Sequence, residues 1–385
     1  MRAAAPLAAL ALVAAPVAAA ESQGEQGTIW KGTLGGEAIT ACFDGSEGGN
    51  SVFYRDGVLE TVRLEAQDAA APLVLTEVTG TDEAASAVWT MQPAADEAMT
   101  GEWRKGDVAV PIHLKAVTVD VPEYGSACES AAFIEPLLAG GTTTSVTKKL
   151  GTAGYTELAY AGPARAGLED YHIVTFVITP ATPADEAINA MLAAVLPDGT
   201  AESEMAQCAA PMLANAGVPG YIDQAQTPML ITPSWVAVRN GGSNYCGGAH
   251  PNNFLSLAVY DRQRGAAADP TRWFKPGALA FYDFDPQPGQ FRPIKGLSPA
   301  LTEAVMARWP MDARDPECLE AARSEWGWTI GLSAEGPVFA PQFPHVIFAC
   351  TEEVTLPWKA ARPFLSKEGR AVMASLRQAP KASGR

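Results

Sequence analysis

From Thr28 to Lys115, short β-like apolar runs set between polar pieces recur about every ten residues, the rhythm of strands joined by hairpin turns. The runs are TIWKGTLGG, AITACF, SVFYRDG, TVRLEA, LVLTEV, AVWTMQ, TGEWRKGD and VAVPIHLKA. Polar pieces such as DGSEGGN and TGTDEAAS separate them. The pattern predicts an all-β sandwich or barrel for residues 21–140.

Between Val121 and about Gly140 the strand rhythm stops, and small residues, glycine and proline replace it, which places a domain boundary there. Beyond it the texture changes. YHIVTFVI (Tyr171 to Ile178) reads as a strongly apolar strand feeding a helix in TPADEAINAMLAAVL, with Thr182 as N-cap and Pro183 in the first helical position. Ile188, Met191, Leu192 and Val195 form its apolar face. SPALTEAVMARW from Ser298 and DPECLEAARSEW from Asp315 carry the same start signals. WVAVR, FLSLAVYD, WTIGLS, PVFA and VIFACTEEVTL read as strands. Runs of strands with a few helices, without strict alternation, predict an α+β domain with a mainly antiparallel sheet over residues 141–378. QAPKASGR at the C-terminus reads as disordered, giving a tail over residues 379–385.

Two features set the compartment. MRAAAPLAALALVAAPVAAA has one basic residue, an Ala/Leu/Val run and a small-residue end, the pattern of a secretory signal cleaved after Ala20. Glu21 rather than a cysteine follows, which argues against a lipoprotein. No later segment is long and apolar enough to span a bilayer, so no transmembrane segment is expected after cleavage. All six cysteines lie in the exported part, and an even count in an oxidising compartment favours disulfides over metal or catalytic thiols. Pairing each with its nearest neighbour in the same domain gives Cys42 with Cys128, Cys208 with Cys246, and Cys318 with Cys350. The expected location is periplasmic or secreted.

The chain carries 27 basic and 43 acidic residues, a net charge of −16, and loss of Arg2 with the signal makes it one unit more negative. Nucleic acid needs the opposite sign, so it is not an expected partner. A basic protein would be steered toward this surface, an effect that salt weakens.

GGSNYCGGAHPNNF, Gly241 to Phe254, sets a cysteine and one of four histidines among glycines. Gly241, Gly242, Gly247 and Gly248 are suited to positive-φ positions of a bulged hairpin loop, with Cys246 in a disulfide and His250 bonded to the loop backbone. The alternative makes His250 a general base or ligand on a functional rim, with His345 as the best candidate second histidine. The partners for a metal do not stand at recognisable spacing, so no metal or other cofactor is expected. His113 and His172 fall inside strand runs.

Together with WTIGLSAEGPVFAPQFPHVIFACTEEVTLPW, this stretch resembles the C-terminal domain of RsiV-type lysozyme-sensing anti-sigma factors, a domain of unknown function also found beside some peptidoglycan deacetylase domains. The matching residues are Tyr245, Gly247, Gly248, Ala249 and His250 at a turn between two strands, then Glu335, Gly336, Phe339, Pro341 and Pro344. Ala187 to Asn189 fits the family's helix after an apolar strand. The resemblance runs from about Thr143 to about Leu365 and implies a lysozyme-like muramidase as ligand. The anti-sigma factors' membrane helix and sigma-binding part are not seen here, which sets signalling across a membrane aside. Nor is a deacetylase domain seen.

Other chemistry is weaker. There is no G-x-S-x-G elbow, phosphate loop or H-E-x-x-H motif. Glu352 and Glu353 are adjacent on an expected strand and point to opposite faces, so they do not flank one bond. Trp326 and Trp328 share a strand face by the same rule and are candidates to stack on a sugar. The sequence thus points to a non-enzymatic binding protein of the cell envelope, with a lysozyme-like protein or peptidoglycan glycan as partner. Its binding candidates are Tyr245, His250, Trp326, Trp328 and His345, with no catalytic residue assigned. The alternative is an envelope-directed hydrolase using His250 and His345 with a carboxylate.

Overall fold

The computed structural model describes residues 25–378 apart from 44–50, 69–72, 79–86, 93–94, 166, 217–218, 284–285, 287–289, 311–314 and 325. The expected signal, the tail at 379–385 and both quoted turn pieces lie outside the described residues.

The eight expected runs form eight strands: β1 (Gln26–Leu34), β2 (Glu37–Cys42), β3 (Ser51–Arg55), β4 (Thr61–Asp68), β5 (Leu73–Val78), β6 (Val88–Met91), β7 (Ala98–Lys105) and β8 (Val108–Asp120). Each pairs antiparallel with the next, and β1 also pairs with β8, which decides for a closed barrel over a sandwich. Alternate residues do different work. Leu34, Ile39, Phe53, Leu75, Trp89 and Ile112 fill the interior. Ile29, Val52 and Tyr54 join an outer cluster with Phe133, Ile134 and Leu137 of helix α1 (Ala131–Leu138).

Within the Val121–Gly140 stretch, Cys128, Phe133, Ile134, Leu137 and Leu138 are buried, whereas Pro122 to Gly125 is exposed. A 3-10 turn at Ala127–Glu129 and α1 connect the barrel to the rest of the chain. The division near Gly140 that we propose separates two units sharing one buried interface.

The second unit adds a seven-stranded sheet of β9 (Thr142–Leu150), β10 (Ala153–Ala161), β11 (Tyr171–Ile178), β12 (Tyr221–Ile231), β13 (Trp235–Tyr245), β14 (Asn252–Asp261) and β15 (Ala266–Ala267). They lie in reverse chain order from one edge to the other. All neighbours are antiparallel except β11 and β12. A parallel pair needs a crossover, and helices α2 (Pro183–Ala193) and α3 (Glu204–Asn215) supply it. Thr182 caps α2 as expected, accepting from the Asp185 amide. Ile188 and Leu192 of α2 pack on Val236 and Val238 of β13, whereas Met191 is 37% exposed and not part of that face.

The other face of β13, through Ala237, meets a third layer. Its sheet is β16 (Leu279–Phe281), β17 (Ile294–Leu297), β18 (Trp328–Leu332), β19 (Pro337–Pro341) and β20 (Val354–Thr355), in that order. With it come α4 (Pro299–Met306), α5 (Pro316–Arg323), the single turn α6 (Trp358–Ala361) and α7 (Lys367–Gln378). Trp273, Trp309, Phe339, Leu332 and Leu301 centre this core. The fold class is α+β, a closed barrel plus further mainly antiparallel sheets. The three cysteine pairs are those expected: Cys42–Cys128, Cys208–Cys246 and Cys318–Cys350.

Three further expectations need correction. VIFACTEEVTL is not one strand: His345–Cys350 is a 3-10 segment, and pairing begins only at Val354. A short apolar run does not by itself distinguish the two. Trp326 and Trp328 do not share a strand face, because Gly327 between them takes φ +96° and β18 starts at Trp328. Gly241 and Gly242 lie within β13, so they are not loop positions; of the four glycines only Gly247 and Gly248 have positive φ. At Gly242 the need is for closeness, since a Cβ there would fall 2.0 Å from the Asp223 carbonyl oxygen.

Candidate functional site

The loop between β13 and β14, Cys246 to Pro251, rises from one end of the seven-stranded sheet. Gly247 to His250 are exposed, and Tyr245 at its base is half-buried. Cys246 is bonded to Cys208 on α3, which fixes one foot of the loop to a helix. The Tyr245 hydroxyl donates to the Gly248 carbonyl at 3.0 Å, closing the turn from within.

The far side is held by a ring contact. The imidazoles of His250 and His345 stack with centroids 4.6 Å apart and planes 9° from parallel. His345 opens the 3-10 segment that follows buried Phe343, so the third layer of the fold presents it to the loop. His250 Nδ1 lies 2.9 Å from the Pro251 carbonyl, to which it donates. Asn253 Nδ2 donates to His345 Nδ1 at 3.0 Å. Below them Gln342 donates to the Leu255 carbonyl at 2.8 Å, and Arg239 of β13 pairs with Glu353 just before β20. Residues from sequence positions about a hundred apart are thereby locked into one rim.

The chemistry available follows from this geometry. An imidazole lone pair lies in the ring plane, so two nearly parallel planes do not point at a shared metal. Among the described residues no three His, Cys, Asp or Glu side chains gather as a metal site. Around the pair, the contacts are the Asn253 amide and the Pro251 carbonyl, a neutral polar shell suited to holding ring orientation. Glu353, engaged by Arg239, is bound to a structural task. Next to the rings, Val346 is 81% exposed, so the rim offers apolar and aromatic surface beside hydrogen-bonding groups.

The structure thus brings together Tyr245, His250 and His345 and leaves the tryptophans apart. Trp326 is 44% exposed, in the turn before β18. Trp328 is buried at 5%, paired with Pro341 and Ile294, and offers no surface to a sugar. His113 and His172 are exposed on β8 and β11, on other parts of the surface. Asn253 and Val346 were not singled out from the sequence; their places depend on a contact across 92 residues that leaves no local pattern.

No protein-family model and no curated protein matches the chain. Two solved structures are similar in part. A DUF3298 family protein from Bacteroides fragilis NCTC 9343 aligns at 13% identity and TM-score 0.38, covering 62% of this chain and 97% of that one. A DUF3298 family protein from Pseudomonas aeruginosa PAO1 aligns at 13% identity and TM-score 0.34, covering 60% and 96%. At these values neither assigns a function to the chain.

Proposed function

We propose that the chain is a non-enzymatic, extracytoplasmic binding protein of the cell envelope that takes a basic protein, of the lysozyme-like muramidase class, on the rim built by Tyr245, His250 and His345. The observation that carries the reading is the prior ordering of an exposed loop: a disulfide at one foot, a tyrosine bond within, and a ring stack on the far side. A loop held this way gives up little conformational entropy on binding, which is where affinity is commonly lost. The net charge of −16 supports a basic partner, and three disulfides suit an oxidising compartment. Among the described residues no helix is long and apolar enough to cross a membrane. Peptidoglycan glycan is the variant partner, with exposed Trp326 as its stacking surface.

Surface-immobilised chain exposed to lysozyme tests this. Association should be fast at about 0.01 M salt and slow by about 0.15 M, as the Debye length falls from about 30 Å to about 8 Å, with dissociation nearly unchanged. Tyr245→Ala should act on the other rate. A central tyrosine anchor worth about 2 kcal/mol corresponds to dissociation about thirtyfold faster. An unchanged off-rate in a folded Tyr245→Ala protein removes the loop from the interface, and absence of binding at low salt sinks the lysozyme reading itself.

The exposed pair of imidazoles motivates a second reading, an envelope-directed hydrolase in which His250 and His345, each through its own in-plane nitrogen, act on the substrate with a carboxylate. His250→Ala separates the two. A binding protein keeps its fold and most of its affinity, within about threefold, because an exposed stacked ring orients the loop without anchoring it. A hydrolase loses turnover of peptidoglycan by a factor of about 100 or more.

A further inference from the structure

Among the described residues the barrel is filled in its middle and at one end, and leaves a cavity at the other. At the filled end Glu77 accepts indole N–H groups from Trp89 at 3.0 Å and Trp103 at 2.7 Å, and Phe53 packs edge-on against Trp89 at 4.7 Å. At the opposite end, where β1 begins and β2 finishes, Trp30, Phe43 and Met99 follow the inward alternation but are only half-buried. Trp30 and Phe43 tilt against each other at 6.3 Å without closing the mouth. They line a cavity of about 380 Å³, with Thr28, Ser126 and the Cys42–Cys128 disulfide as its lip.

Among the described residues no lining side chain is charged. A charged ligand entering this mouth would be stripped of water with no opposite charge among these residues to meet, which favours an uncharged occupant. The indole, the phenyl ring, the thioether and the disulfide are polarisable apolar surface, and two hydroxyls at the lip are the polar side-chain groups. An eight-stranded barrel has room either for its own side chains or for one small ligand. This barrel divides its interior between the two.

We propose that the open mouth of the barrel binds an uncharged aliphatic chain on the order of ten carbon atoms, a size set by a cavity near the small end of known ligand pockets. The site is separate from the histidine rim, so it stands or falls independently of the function proposed above. Its ligand reaches it as a free molecule or as the exposed end of a lipid chain.

The full chain is titrated with N-phenyl-1-naphthylamine, an uncharged fluorescent probe. Saturable binding of one probe per chain is expected, with energy transfer from tryptophan. Displacement by 1-alkanols should tighten about fourfold per added methylene until the cavity is full and then level off. Met99→Trp fills the mouth and should weaken binding at least tenfold without altering the melting curve. Cosedimentation with phosphatidylcholine vesicles would identify a lipid chain as the source, and its absence alongside alkanol binding a free molecule; both agree with the site. Binding that does not saturate, lacks the chain-length dependence, or survives in folded Met99→Trp overturns the proposal and points to another apolar surface, such as the cavity beside Trp235 and Trp273. Should Met99→Trp not fold, the Met99 methyl resonance of the wild-type chain decides: it must shift on saturation with 1-octanol, and a static resonance overturns the site.

Discussion

Replacing Asp185 by alanine is expected to destabilise the chain by about 3–5 kcal/mol, the usual cost of removing one member of a buried ion pair. The Asp185 side chain is 2% exposed and that of Arg262 15%. Two guanidinium nitrogens of Arg262 bond its two oxygens at 2.7 and 2.8 Å, and the third reaches the Thr232 carbonyl at 2.8 Å. The Ala181 amide donates to the same carboxylate. One side chain thus ties the first turn of α2 to the β14–β15 hairpin and the β12–β13 turn. Alanine would leave a guanidinium largely out of water without its counter-charge. Denaturant melts of the two proteins measure the difference, and a loss under about 1 kcal/mol, the value of an exposed pair, would contradict the buried character of the contact.

The same pair gives a pH dependence of defined sign. The Arg262 hydrogen bonds, helped by the Ala181 amide and opposed by burial, hold the Asp185 carboxyl at about 2, below its ordinary 3.8. A depressed carboxylate stabilises the fold fully above its unfolded value and loses that contribution as pH falls through its folded value. The gap between wild type and Asp185→Asn should therefore be constant above about pH 5 and shrink by about 2 kcal/mol as pH falls toward 2. A gap that stays constant down to pH 2 would show that the carboxylate's charge is not what Arg262 holds.

Removing the Cys208–Cys246 bridge with serine at both positions is expected to cost about 2–4 kcal/mol. Its sequence separation of 38 gives about 4 kcal/mol from loop-closure entropy as an upper figure. The loss should be felt at the rim. Cys246 follows Tyr245 directly, and without the bridge to α3 the loop keeps only the Tyr245 bond and the His250–His345 stack. Amide exchange across Cys246 to Asn253 should accelerate along with the fall in the denaturation midpoint. A double variant as stable as the wild type, with exchange unchanged, would show that the sheet alone orders the loop.

Much of the fold was legible because it depends on near neighbours. Short β-like runs recurring about every ten residues, with polar turn pieces between them, marked all eight barrel strands, since hairpin connections are local. Thr182 with Pro183, and Asp315 with Pro316, announced their helices because capping is satisfied within four residues. The exposed β9, the half-buried β10 and the helices α1 and α3 gave no such signal. Eight of the nine residues of edge strand β9 are exposed, so no apolar stripe marks it. In α3, buried residues occur on nearly every side and Pro211 sits inside the helix, which erases the 3.6-residue contrast between faces.

At the site, the residues were legible and their arrangement was not. Glycines around Cys246 and His250 marked a constrained turn, and the even count of cysteines foretold the three bridges, because backbone freedom and thiol chemistry are properties of single residues. Whether the eight strands closed into a barrel, whether Trp328 faced solvent or core, and whether His250 met His345 all turned on contacts between distant parts of the chain. Gly327 illustrates the division: its flexibility is written in the sequence, but its positive φ, and the Ile294 carbonyl 3.2 Å from where a Cβ would stand, belong to the fold, in which Trp328 is buried and Trp326 lies outside. Local pattern specifies what an element can bury; only packing against a partner, paid for in chain entropy, decides what it does bury.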